Sequence, residues 1–204
     1  IKIILVLIIG FIGISAANAN AGVYSFQPNP TNLDHLAHWN YYLWNINWTP
    51  PNGETITGAS LSIQQIYNVN NPGDNWNMLY MHLLDNASTS GLQSIGANTW
   101  QGGDNPNAQW DDAWAGNPLI ASYSDPFPGP AYPPNPVNLQ YNFDANLLNF
   151  LNAYSADGNF GLGFDPDCHF FNNGITFNIT TSVIPEPTTL SLLGLGLMGL
   201  IRFR

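Results

Sequence analysis

Two carboxylates two residues apart, Asp165 and Asp167, lie in the densest run of potential ligands in the chain, Asp165-Pro166-Asp167-Cys168-His169. If that segment curls, both side chains can reach one calcium ion, with backbone carbonyls completing its oxygen shell. The alternative is that each Asp accepts hydrogen bonds from nearby backbone N–H groups in Asx-turns. The segment lacks the Gly and Glu offsets of an EF-hand, so the turn-forming use is favoured over calcium. Zinc is weaker still. Adjacent Cys168 and His169 are awkward ligands for one tetrahedral ion, and no second pair stands at finger-like spacing. His35, His38 and His82 can join them only through tertiary proximity.

A second candidate lies between Asn98 and Asn117. Three tryptophans, Trp100, Trp110 and Trp114, stand among Asp104, Gln109, Asp111 and Asp112. Indole faces pack on the apolar faces of sugar rings, and neighbouring carboxylates and amides bond hydroxyls, which is loop-borne recognition on a rigid scaffold. The competing reading is that these rings pin a long loop to the core, and it is preferred. Catalysis has little support. The Asp111–Asp112 pair could serve glycoside hydrolysis, but nothing fixes the separation that chemistry needs. There is no G-x-S-x-G, metalloprotease helix or Gly-rich phosphate loop. The expectation is a protein without enzymatic activity.

Charge narrows the partners. All three basic residues, Lys2, Arg202 and Arg204, lie near the ends, and 12 of the 13 acids, all but Glu186, lie between 22 and 184. That central stretch holds no Lys or Arg and carries a formal charge of −12. Nucleic acid is excluded as a partner, because phosphate neutralisation needs Lys and Arg. Anionic lipid headgroups would repel it, and cations such as calcium are its natural counter-ions. Its many Trp, Tyr, Phe and Ile residues argue for a folded core rather than disorder. Cys168 is the only cysteine, so no intramolecular disulfide forms.

The two ends read as addresses. Lys2, an apolar run from Ile3 to Ile14 and small residues in A-x-A spacing at 17–21 form a secretory signal peptide over 1–21. At the other end, Pro185-Glu186-Pro187 precedes an uncharged run from Thr188 to Ile201 and then Arg202-Phe203-Arg204. As a helix the run spans about 21 Å, short of a full bilayer crossing, and the Arg residues suit its cytoplasmic end. This tail resembles the PEP-CTERM sorting signal. The resemblance implies a protein exported by a Gram-negative bacterium, often one that makes exopolysaccharide. It also implies transient membrane anchoring through the tail and processing by an exosortase-type membrane protease-transpeptidase. The sorting residues would be Pro185, Glu186, Pro187, Arg202 and Arg204. Tyr154 to Phe170, with Asp157-Gly158-x-Phe160-Gly161-x-Gly163-x-Asp165, is similar to stretches in other secreted PEP-CTERM proteins and implies a shared sandwich without implying an activity.

The elements that must position these residues are mostly strands. Aromatic and extended sequence runs from His35 to Trp48, and a second strand from Glu54 to Tyr67, with Gly58 placed for a bulge. Alternation predicts strands at 77–85, 119–124, 138–143, 160–164 and 175–181. Val23 to Asn32 reads as irregular. Asp125 to Pro136 is too proline-rich for a central strand. Asp144 is positioned as an N-cap, with Leu147, Leu148, Leu151 and Tyr154 at helical spacing. The expected fold is all-β, a sandwich with jelly-roll as the candidate topology and one short helix. The expected organisation is a signal peptide at 1–21, a β-sandwich at 22–183 and a sorting tail with an apolar anchor at 184–204. The functional expectation is a structural or adhesive protein on the outer surface or in the extracellular polysaccharide of a biofilm matrix. The alternatives are a carbohydrate-binding module using the Trp-rich loop and, behind it, a glycan-active enzyme.

Overall fold

The computed structural model describes residues 22–37, 40–68, 78–85, 91–97 (as backbone), 112–126 and 135–184. The expected signal peptide at 1–21, Trp100, Trp110 and the tail from Pro185 lie outside the described residues.

Among the described residues ten strands form two antiparallel sheets. In chain order they are β1 (Gly22–Phe26), β2 (Asn40–Asn47), β3 (Glu54–Asn68), β4 (Met78–Leu84), β5 (Gly91–Ala97), β6 (Leu119–Ser124), β7 (Val137–Asn142), β8 (Asn159–Pro166), β9 (Phe170–Phe171) and β10 (Ile175–Val183). One sheet runs β1-β10-β3-β7, with β9 pairing the end of β3; the other runs β5-β2-β8-β4-β6. The pairing is nested: β1 with β10, β2 with β8, β3 with β7 and β4 with β6. A long hairpin rolled up on itself produces that order, which is the jelly-roll order of an all-β sandwich. β5 is an added edge strand beside β2.

The core follows from alternation. On β10, Ile175, Phe177 and Ile179 are fully buried, while Thr176, Asn178 and Thr180 are only partly so. β3 contributes Leu61, Ile63 and Ile66 to the same core, β4 Leu79, Met81 and Leu83, and β8 Phe160, Leu162 and Phe164. Burying each such side chain stabilises the fold by about 1.5–3 kcal/mol relative to leaving it in water. The bulge expected at Gly58 is present. The register between β10 and β3 slips at Thr180/Thr181, so that Thr57, beside Gly58, is the extra residue.

The helix α1 (Ala145–Tyr154) begins where expected, with the Asp144 side chain accepting from Leu147 N–H at 2.8 Å. It buries Leu147 and Leu151. Its Asn152 is the joint to the sheet: Oδ1 accepts from Ile56 N–H at 2.9 Å and from the Thr55 hydroxyl at 3.0 Å, and Nδ2 donates to Ile56 O at 3.0 Å. The side-chain amide therefore substitutes for a neighbouring strand at a point of β3 that the β7 ladder, starting at Ser60, does not reach.

Two stretches differ from expectation. Residues 22–26 form an edge strand rather than irregular chain. The strand expected from His35 starts at Asn40, because Leu33 to Leu36 form a left-handed turn with φ between 44° and 58°. Left-handed backbone costs L-residues about 1–2 kcal/mol each. Leu33 and Leu36, both fully buried, offset it.

Candidate functional site

β8 has two buried faces, and the second one carries the polar cluster. Phe160, Leu162 and Phe164 enter the core, so Gly161, Gly163 and Asp165 face the other way. Register then fixes the neighbours on that outer face. Asp165 pairs with Tyr80 of β4 and Gly163 with His82. β8 continues its ladder one residue further, with Asp167 N–H donating to Met78 O at 2.9 Å.

The segment 112–117 is a turn laid over this face, with Ala115 N–H donating to Asp112 O and Asn117 N–H to Trp114 O. Three fastenings hold it. His82 Nε2 lies 2.8 Å from Asp112 Oδ2, and its Nδ1 lies 3.0 Å from Asn117 O. Both ring nitrogens thus face oxygen acceptors at the two ends of the turn. Asp165 Oδ2 accepts from Ala113 N–H at 2.7 Å. The Trp114 ring lies against Gly163: a Cβ there would come within 2.8 Å of its Cγ, Cδ1 and Nε1. Tyr41 packs edge-on to Trp114, with ring centroids 5.4 Å apart.

The electrostatics are those of crowded acids under cover. Asp165 is fully buried. Asp167 has a buried Oδ2 with no hydrogen-bond partner. Burial, followed by the charges of Asp165 and Asp112, pushes its carboxyl from an ordinary 3.8 up to about 7. A carboxyl that loses water without gaining donors takes up a proton instead of keeping its charge. Burial also raises the Tyr80 phenol, and Asp167, Asp112 and Asp165 add to the effect.

The structure therefore brings Asp165 and Asp167 together with Asp112, Tyr80 and His82. Asp165 gives one oxygen, Oδ2, to a backbone N–H of a turn distant in sequence. Among the described residues no group of three His, Cys, Asp or Glu side chains is arranged to hold a metal ion. Cys168 is buried in the core, while the His169 ring stacks on Phe171 with centroids 4.3 Å apart. Trp114 lies on the sheet with its indole N–H buried. Sequence spacing identified the acidic pair but not its partners His82 and Tyr80. Only the strand register, with Tyr80 opposite Asp165, points to them.

The last described residues still belong to the sheet. Val183 still pairs with Glu54, and Ile184 N–H donates to Gly53 O at 2.7 Å. No helix among the described residues is long and apolar enough to cross a membrane. No curated protein and no solved structure matches the chain. Residues 183–204, beginning at the last residue of β10, match the PEP-CTERM protein-sorting motif. That motif marks exported proteins of Gram-negative bacteria that are sorted by an exosortase, a membrane enzyme. The chain is a protein with a PEP-CTERM sorting domain.

Proposed function

We propose that the jelly-roll domain is a structural or adhesive component of an extracellular polysaccharide matrix, delivered to the outer surface by its sorting tail and without enzymatic activity. The observation that carries this reading is the sorting motif at 183–204, joined directly to the last strand of the sandwich. The buried acidic cluster supports the non-enzymatic part. Asp165 is inaccessible and its Oδ2 is held by Ala113 N–H, so the cluster fastens a turn and offers no open pair of carboxylates to a glycosidic bond. The same cluster carries no resident metal in this reading, so calcium and magnesium at equal ionic strength should shift the melting temperature alike. A larger calcium shift, lost in Asp165→Asn/Asp167→Asn, would assign the pair to calcium.

The test of the function is made in the native host. Replacing Pro185, Glu186 and Pro187 by Ala should leave the protein in the membrane fraction and empty the matrix fraction of it. Deleting the chain should weaken matrix cohesion and attachment of cells to surfaces. A deletion strain with unchanged matrix cohesion and attachment would overturn the structural role.

A further inference from the structure

The sandwich has an open groove that begins where the 112–117 turn ends, at Gly116 and Asn117. It has a volume of about 430 Å³ and lies between the exposed side of α1 and the chain from Gly116 into β6. That falls within the ~300–1,000 Å³ of small-molecule sites. Phe150 and Tyr154, one helical turn apart on α1, present neighbouring rings on this side, with centroids 5.8 Å apart and planes tilted by 44°. Phe150 is 36% exposed and Leu119, at the start of β6, 48% exposed. These are two of the few large apolar side chains that the described residues leave in water. The other walls are polar: Asn117, Asn142, Asn146 and Asp144 all line the groove.

We propose that this groove binds a neutral polysaccharide chain, with sugar rings packed on Phe150 and Tyr154 and hydroxyls bonded by the side-chain amides of Asn117, Asn142 and Asn146. Three observations select that ligand class. Side-chain amides offer both donors and acceptors, which matches hydroxyls and does not match a lipid tail. The exposed Phe150 ring, with the half-buried Tyr154 ring and side-chain amides beside it, suits a ligand that alternates apolar faces with polar edges. The stretch from 22 to 184 has no Lys or Arg and carries −12, so uronate- or sulfate-bearing chains are repelled. The groove is independent of the sorting tail, and a groove that fails to bind leaves the sorting reading standing.

The test uses the full chain, kept in a polyoxyethylene detergent because sugar-headed detergents would compete. The probes are neutral hexasaccharides of glucan, mannan, galactan and xylan, with alginate and hyaluronan oligosaccharides as anionic controls. At least one neutral hexasaccharide should bind, with amide NMR shifts concentrated at Asn142, Asn146 and Phe150. Phe150→Ala should weaken binding about tenfold or more, Asn146→Ala less so, and Phe150→Trp, which keeps a stacking face, should retain it to within about threefold. Near-UV circular dichroism shows that each variant is folded, and if Phe150→Ala is not, Asn146→Ala and Phe150→Trp carry the result. Binding by none of the neutral probes, equal binding of the anionic ones, shifts that map elsewhere, or full affinity in Phe150→Ala would each overturn the proposal.

Discussion

At Gly163 a hydrogen in place of a side chain is what lets the Trp114 ring lie on β8. Gly163→Ala puts a methyl group into that ring and should destabilise the fold by about 1–3 kcal/mol, as overpacking does. The pair should be coupled. Trp114→Ala should cost less in the Gly163→Ala background than in the wild type, by about 1 kcal/mol in urea denaturation. Strictly additive costs would contradict the contact. Asp167 makes a second prediction at this scale. Its carboxyl ionises near 3.8 in the unfolded chain and near about 7 in the folded one. Between those values the folded state holds a proton that the unfolded state has released, so stability falls as pH rises through that window and levels off above it. The protein should melt higher at pH 5 than at pH 7.5. Asp167→Asn should reduce the difference by about 1 kcal/mol, a figure discounted because the group is partly exposed. Equal or lower stability at pH 5 would contradict the account. The acidic pair was legible in the sequence as a spacing. Its role was not, because Asp112, His82 and Tyr80 reach it from a turn and a strand separated from it by many residues.

Elements were legible where burial imposes a period. β7 and most of β10 alternate in burial, and the strands expected at β3, β4, β6, β7 and β10 fall on them to within a residue or two. The helix is equally plain, from its Asp144 cap to Tyr154. Two of the edge strands lack that signature. β1 buries nothing fully and is followed by Pro28 and Pro30, so it reads as irregular chain. β5 has the sequence Gly-Leu-Gln-Ser-Ile-Gly-Ala, with neither clear alternation nor β-branched density, and among the described residues it pairs only with β2. Leu33 to Leu36 mislead for the opposite reason. Their apolar residues look strand-like, and their burial is achieved through a left-handed turn that non-glycine residues seldom adopt. The joint between α1 and β3 was hidden too, since an Asn on a helix ordinarily marks solvent. Asn152→Ala strips Ile56 N–H and C=O of their partner together. It should cost about 2 kcal/mol, about twice the loss from the ordinary cap change Asp144→Ala. Comparable losses for the two variants, measured by thermal melting, would show that water replaces the amide at Ile56.

For the whole molecule, topology and address meet at one point in the chain. The nested pairing places β10 between β1 and β3, so the last strand of the sandwich is an interior strand of its sheet. The sorting motif begins at Val183, within that strand, and Ile184 is still hydrogen-bonded to Gly53. A folded domain with no Lys or Arg from 22 to 184 is thus attached to a tail that carries Arg202 and Arg204. This division of charge was readable from the sequence, as was the tail itself. The jelly-roll order was not fixed by strand count, because eight or more strands can be rolled up in several ways and only the pairing of first with last selects one. The central claim is that the tail is a processed address. Intact-mass measurement of the protein released from the surface of its native host tests it most directly. The mass should correspond to a chain that has lost the residues after about Pro187, and a released protein that still ends in Arg204 would contradict the account.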